Sequence, residues 1–412
     1  MTPADRETLA RIVRAEMADV PVEQHDASLG MPLTVVGFGA EEVLAALDCM
    51  LTTRVTMGAE VRAFEQEWAA WCGRSQAVMV NSGSSANLLM LEGMIEIGRL
   101  RPGDEVLVPA VGWSTTLFPI VQAGLVPVIV DVDPRSLCMS PGAATAARTA
   151  RTRAAMPVHL LGQAADCGYD DLIVLEDACA AHGARIGGRR VGSIGAAAAF
   201  SFFFSHHIST IEGGVLVTDD AVLADAMRSL RAHGWVRERS DREEWVDRFP
   251  EIDPRFLFVS AGYNVRPTDL AGAFGRVQLR RLDAWVAQRR QNHAEWCAAL
   301  ADVPGVSVFP EAAGTEHAGF AFAMVVEGDR RPLMRALEAV GIETRPISGG
   351  NLVRQPAFNR LLERGAEVRI AGPLHVADAV HERGFFVGNS HAFGREHGRR
   401  LAEVVRGFAS AA

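Results

Sequence analysis

The chain has 412 residues, 49% apolar and 22% charged, with a formal charge of −9 and a pI near 5.8. That composition is globular and too apolar for disorder, and the negative balance excludes an electrostatic footprint for nucleic acid. The six cysteines, at 49, 72, 138, 167, 179 and 297, form no CxxC, which excludes a disulfide framework and a zinc knuckle.

In chain order, MTPADRETLARIVRAEMADV predicts an amphipathic helix with Leu9, Ile12, Val13 and Met17 on one face. It has no apolar core of signal-peptide length. Helices follow over 40–51 and 59–71, then a strand at 77–80, a helix over 84–99 and a strand at 105–109. A helix at 117–123 precedes a strand at 126–132, which Asp133-Pro134 ends. Strands are predicted at 155–159, 172–176, 197–203 and 214–218, and one long helix over 268–293. Beyond it, strands at 306–309, 319–326 and 343–346 with a helix over 331–340 suggest a smaller α+β unit. β-branched runs alternating with helices argue for a mostly parallel α/β sheet buried on both faces. The expected division is an N-terminal extension over 1–39, a large domain over 40–290 and a small C-terminal domain over 291–412. The longest uncharged stretch, Val191–Ile211, holds Ser, Gly, Thr and two His, and reads as buried strand and loop. The expectation is a soluble, cytoplasmic protein without a membrane span.

All 41 basic residues are arginine. GC-rich coding, visible in the wealth of Ala, Gly, Arg and Val, accounts for this at most positions. The chemical consequence holds whatever the cause. Guanidinium stays protonated at any working pH, so this chain cannot hold an aldehyde cofactor as a side-chain Schiff base.

Three constellations could carry chemistry. Asn81-Ser82-Gly83-Ser84-Ser85-Ala86-Asn87 lies between a strand and a helix, where small residues let backbone N–H groups face an anion. A plain serine cap is the alternative. Leu172–Asp177 is an apolar strand ending in two acids, at the strand end where α/β sheets gather ligands. An ionised Asp there can pair with a protonated ring nitrogen; a satisfied strand-end acid is the alternative. Third comes Phe200–Gly214, with adjacent His206 and His207. Neighbours on a strand face opposite sides, which disfavours a shared metal and suits one catalytic histidine beside a structural one, His207.

In sequence order, SGSSAN, PAVGWSTT, VDVDP, VHLLGQ, LEDACAAHGA, FSFFFSHHISTIEGG, RAHGW and GYNVRP resemble the vitamin-B6-dependent sugar aminotransferases of fold type I, the DegT/DnrJ/EryC1/StrS family, over roughly 40 to 400. The implied fold is α/β: a large domain with a mostly parallel, mixed sheet flanked by helices, plus a smaller C-terminal α+β domain. In that family the segment ending in EGG carries the cofactor lysine. Counting back from Glu212-Gly213-Gly214, its position falls on His206. Histidine there, with RPISGGN and FFVGN, is similar to the branch of 3-dehydratases acting on nucleotide-linked 4-keto-6-deoxy sugars, of the GDP-4-keto-6-deoxymannose type.

The resemblance implies pyridoxal or pyridoxamine 5'-phosphate held non-covalently, with L-glutamate as cosubstrate regenerating the amine form, and neither an iron–sulfur cluster nor a metal. Gly83, Ser84 and Ser201 would hold the phosphate, Trp113 would stack on the pyridine ring, and Asp177 would pair with its nitrogen. Asn264 would reach the phosphate from a neighbouring subunit, which implies a homodimer with shared sites. His233 and Arg237 would lie towards the sugar nucleotide, where Arg54, Arg345 and Arg354 are further candidates for phosphate contacts. His206 would serve as acid and base while the C3 hydroxyl of the sugar departs and a 3-deoxy-4-keto product forms. One departure stands out: the polar side chain that the branch carries three positions after Asp177 is Ala180 here. A 4-aminotransferase and a cofactor-binding, non-catalytic homologue are the alternatives.

Overall fold

The computed structural model describes residues 2–20, 22–35 and 37–411. Its large sheet is built from β1 (Gln76–Val80), β2 (Glu105–Pro109), β3 (Val126–Val130), β4 (Thr152–Ala155), β5 (Ile173–Asp177), β6 (Ala197–Ser201) and β7 (Gly214–Thr218). Their spatial order is β1-β7-β6-β5-β4-β2-β3, with a short eighth strand, Arg369–Ile370, returning from late in the chain to lie beside β3. Strand β7 runs antiparallel to both neighbours, and every other pairing is parallel. The carboxyl ends of β1 to β6 therefore meet along one edge. Strands β1, β2, β3, β6 and β7 are apolar almost throughout and buried, as a sheet covered on both faces requires.

Several boundaries move from their sequence-based positions for identifiable reasons. The strand expected at 155–159 is Thr152–Ala155, because Pro157 has no N–H to offer a ladder. After it, Val158 makes only an isolated bridge to Asp177. The long helix is Asp269–Leu300, capped by the Thr268 hydroxyl, and it passes through position 290 without a break. Four antiparallel strands (Val306–Ser307, Ala321–Val326, Thr344–Pro346, Gly384–Gly388) form a second sheet. Phe322, Phe385 and Val387 of that sheet pack with Trp296 of the long helix and with Met31 from the N-terminal segment. The returning strand is tied down electrostatically: Arg369 donates to buried Glu105 at 2.9 Å, and Thr149 and Thr152 donate to the same carboxylate. The first helix, Pro3–Glu16, buries no residue, and Ile12 on its apolar face is 52% exposed. Among the described residues no helix is long and apolar enough to cross a membrane.

At the end of β5, Glu176 is fully buried, and its oxygens accept from the N–H groups of Gly192 (2.7 Å), Ile194 (2.9 Å) and Gly195 (2.7 Å). His159 adds a fourth contact at 3.2 Å while its other ring nitrogen accepts from Ala165 N–H. The polar atoms of His159, Cys167 and Glu176 lie within 4.8 Å of one another, but those of His159 and Glu176 are committed to these bonds. Glu176 is thus a fastener between β5 and the turn before β6. Replacing it with alanine strands four donors, two of them fully buried, and is expected to cost ~3 kcal/mol or more. Urea unfolding would show this as a lower midpoint at unchanged slope.

Candidate active site

The site assembles where strands end. After β1, the Ser82 hydroxyl caps the helix Gly83–Glu96 by accepting from Ser85 N–H at 3.1 Å. A Cβ on Gly83 would lie 2.5 Å from Cβ of Ser201 and 2.9 Å from Sγ of Cys179. Only glycine permits this approach, which brings the helix N-terminus against the end of β6. Ser84 donates its hydroxyl to Thr115 at 2.8 Å. Thr115 belongs to the helix Ser114–Gln122, which starts after Trp113, whose side chain is 62% exposed.

Asp177 sits at the centre of this group. One carboxylate oxygen accepts from Asn87 (2.9 Å) and the Thr116 hydroxyl (2.6 Å), and the other accepts from Cys179 N–H (3.1 Å). Three donors hold the carboxylate in place without a cation, and capacity remains on the oxygen facing Cys179. Gly83, Ser84, Trp113, Asp177 and Ser201 are therefore linked through Thr115, Thr116, Asn87 and Cys179. Sequence reasoning passed over Asn87 and Thr116, although both lie inside motifs it had singled out. Polar side chains at the first turn of two helices facing a strand-end acid were the available signal.

His206 follows β6 in a turn closed by its N–H donating to the Phe203 carbonyl at 2.9 Å. The ring is half-buried against Phe320 (5.1 Å between centroids) and Phe203 (6.0 Å), and Nδ1 is enclosed without a partner. Burial pushes its pKa down from the usual 6.5 to about 4, with the Phe203 carbonyl and Asp177 pulling it up and Arg289 pushing it down. The imidazole is consequently neutral, and able to accept a proton, at physiological pH. His207 is fully buried: Nε2 donates to the Ala318 carbonyl at 3.0 Å, and Nδ1 meets His182 Nδ1 at 3.1 Å.

Asn264, His233 and Arg237 lie elsewhere in the chain. Asn264 and Arg237 line a surface cavity of about 340 Å³ together with Thr56, Trp235 and Arg266. Arg237 stacks over Trp235 at 5.0 Å, and Arg266 donates to Asn264 at 3.0 Å. His233 adopts a left-handed backbone, φ +67°, and meets Trp235 edge-on at 5.8 Å. Of the further arginines, Arg354 is already paired with Glu382 at 2.7 Å, whereas Arg54 and Arg345 are exposed. Ala180 is half-buried.

The family model for DegT/DnrJ/EryC1/StrS aminotransferases matches residues 38–406. The chain belongs to this family. GDP-4-keto-6-deoxy-D-mannose 3-dehydratase of Yersinia pseudotuberculosis is 34% identical over 92% of this chain and 98% of its own length. The dTDP-4-dehydro-2,6-dideoxy-D-glucose 3-dehydratase of Saccharopolyspora spinosa is 37% identical over 84% of this chain and 80% of its own. A crystal structure of GDP-4-keto-6-deoxymannose-3-dehydratase with a trapped PLP–glutamate geminal diamine superposes with a TM-score of 0.82. It shares 33% identity and covers 91% of this chain and all of that one.

The donor set of this DegT-family chain fits a phosphorylated aromatic ring. The glycine-floored helix N-terminus suits a phosphate, the exposed Trp113 ring offers a stacking face, and Asp177 is held in place by three donors.

The chain's neutral histidines set its response to acid. His206, His182 and His207 all titrate below their ordinary value because burial disfavours the charged ring. An unfolded chain takes up protons near pH 6.5 that the native state refuses, so stability is complete above that pH and is lost as pH falls towards 4. The melting temperature is expected to drop steadily across that window, with a shallower slope in His206→Asn. An unchanged slope in that variant would show that His206 is not held neutral.

Proposed function

We propose that this chain is a pyridoxamine-phosphate-dependent 3-dehydratase of a nucleotide-linked 4-keto-6-deoxyhexose, with L-glutamate restoring the amine cofactor. The observation that carries this reading is His206. In an arginine-only chain it presents a half-buried, neutral imidazole near Asp177, at the position where the family's motif carries lysine. The amine cofactor, when bound, supplies a nucleophile for the C4 ketone and a ring that accepts electrons as the C3–O bond breaks.

The protein's own residues do the rest. Gly83, Ser84 and Ser201 bind the phosphate at the helix N-terminus, and Trp113 covers the ring. Asp177, held by Asn87 and Thr116, keeps the pyridine nitrogen protonated. His206 takes a proton beside the ring and delivers it to the departing C3 hydroxyl, so one group serves as base and then as acid. Without a lysine there is no covalent tether, and cofactor exchange between its amine and aldehyde forms needs no side-chain displacement. Arg237 and His233 face the sugar nucleotide, and Asn264 serves the site of a second copy, making the protein a homodimer. The surface position of the Asn264 cavity supports that arrangement.

Mass spectrometry tests the reading directly. Protein, pyridoxal phosphate and L-glutamate are incubated with GDP-4-keto-6-deoxymannose, and separately with dTDP- and CDP-linked 4-keto-6-deoxyglucose. The expected product lacks one oxygen, with ammonia and 2-oxoglutarate formed in step. A 4-amino sugar would assign an aminotransferase instead, and cofactor conversion without any sugar product would defeat the substrate assignment. His206→Asn should retain cofactor binding and lose C3–O cleavage by a factor of ~10² or more. His206→Lys should yield a pyridoxyl adduct trapped on the protein by borohydride; absence of the adduct would mean that position 206 does not face the cofactor.

A further inference from the structure

The turn holding His206 leaves two buried histidines, His207 and His182, outside the mechanism, yet their hydrogen bonds form an ordered chain. The Ala318 carbonyl can only accept, so the Nε2 that meets it at 3.0 Å carries the proton of His207. Neutral His207 then offers a bare Nδ1, and the His182 Nδ1 that meets it at 3.1 Å must be the donor. Neutral His182 is left with a bare Nε2, which is enclosed and has no partner. The Ser201 carbonyl also borders the His182 ring. A proton on Nε2 pointing at that carbonyl would make His182 Nδ1 the acceptor and strip the Ala318 carbonyl of its donor.

The next ring in the sequence is His206, 6.3 Å from His182 between centroids and set at 67°, with Nδ1 enclosed and unpartnered. One acceptor and one nitrogen of undetermined tautomer, neither with a hydrogen-bond partner, thus lie in neighbouring rings, and a single bridging water would join them. We propose that His207 and His182 are positioning residues that hold His206 as the Nδ1–H tautomer, leaving Nε2 bare to take the proton in the reaction. When Nε2 gains its proton, the Nδ1–H of the cationic ring still points at an acceptor. The same relay then stabilises the charged form that donates to the leaving hydroxyl.

This inference rests on the dehydratase reading for its use but not for its test. Holoenzyme labelled with 15N-histidine, with the His206 signal identified by its loss in His206→Asn, reports which ring nitrogen carries the proton. The expected resting form has a protonated Nδ1 and a bare Nε2 at His206. His182→Phe, which removes the acceptor, should mix the two tautomers and lower kcat roughly 10²-fold with KM for the sugar nucleotide changed less than about threefold. His182→Asn, whose side-chain oxygen can accept, should recover most of that loss. A proton on Nε2 in the wild-type protein overturns the proposal, as does an unchanged His206 tautomer in folded His182→Phe. The expected tautomers in a protein that dehydrates no sugar would leave the relay standing and remove the substrate assignment alone.

Discussion

Two adjacent carboxylates at the end of one strand constrain everything built around them. Side chains of neighbouring strand residues face opposite sides, so Glu176 and Asp177 cannot share a partner. Each must be stabilised on its own face of the sheet. Glu176 is neutralised by three backbone N–H groups and His159, which fixes the turn leading into Ala197–Ser201. Asp177 is held by Asn87, Thr116 and a backbone N–H, which brings the helices after two other strands to the same point. One acid organises the frame, and the other is left available to a ligand. The close approach of Gly83 to Ser201 follows from the same convergence, and so does the placement of His206 one turn beyond.

The absence of lysine turns that frame towards a particular chemistry. A lysine amine can tether an aldehyde and move a proton; an imidazole can only move the proton. With no tether available, a cofactor bound as proposed would have to be held entirely by the phosphate end, the stacking face and Asp177. The proposed role also demands that the imidazole be neutral when it acts, and burial against Phe320 and Phe203 secures this. On the proposed reading, the packing that depresses the histidine's pKa serves the reaction as well as the core.

Much of this was legible in the sequence, for physical reasons that differ by element. The strands Glu105–Pro109 and Gly214–Thr218 were placed to the residue because each is a continuous apolar run closed by a turn signal. That the latter runs antiparallel was not legible, since burial on both faces erases the alternation that distinguishes the two pairings. The strand Arg369–Ile370 escaped notice because it is only two residues long and its Arg369 is secured by Glu105, more than 260 positions away. His206 was found by counting from a motif. Asn87 and Thr116 became visible as partners of Asp177 only when three strand ends came together. His182 was hidden in the same way: HGA reads as an ordinary turn until the ring meets His207.

Arg289 shows how the arginine-only composition and the neutral histidines depend on each other. It projects from the long helix, is 7% exposed, and spends one guanidinium nitrogen on the carbonyls of Asn389 and Phe320. Among the described residues no carboxylate pairs with it, and burial lowers its pKa to about 10, which leaves it charged at neutral pH. A lysine in the same surroundings could shed its proton and relieve the cost of burial; arginine cannot. The charge it keeps raises the local potential and pushes His206, His207 and His182 further towards neutrality. Arg289 carries the fixed charge and ties Phe320 in place, while His206 is left free to exchange its proton.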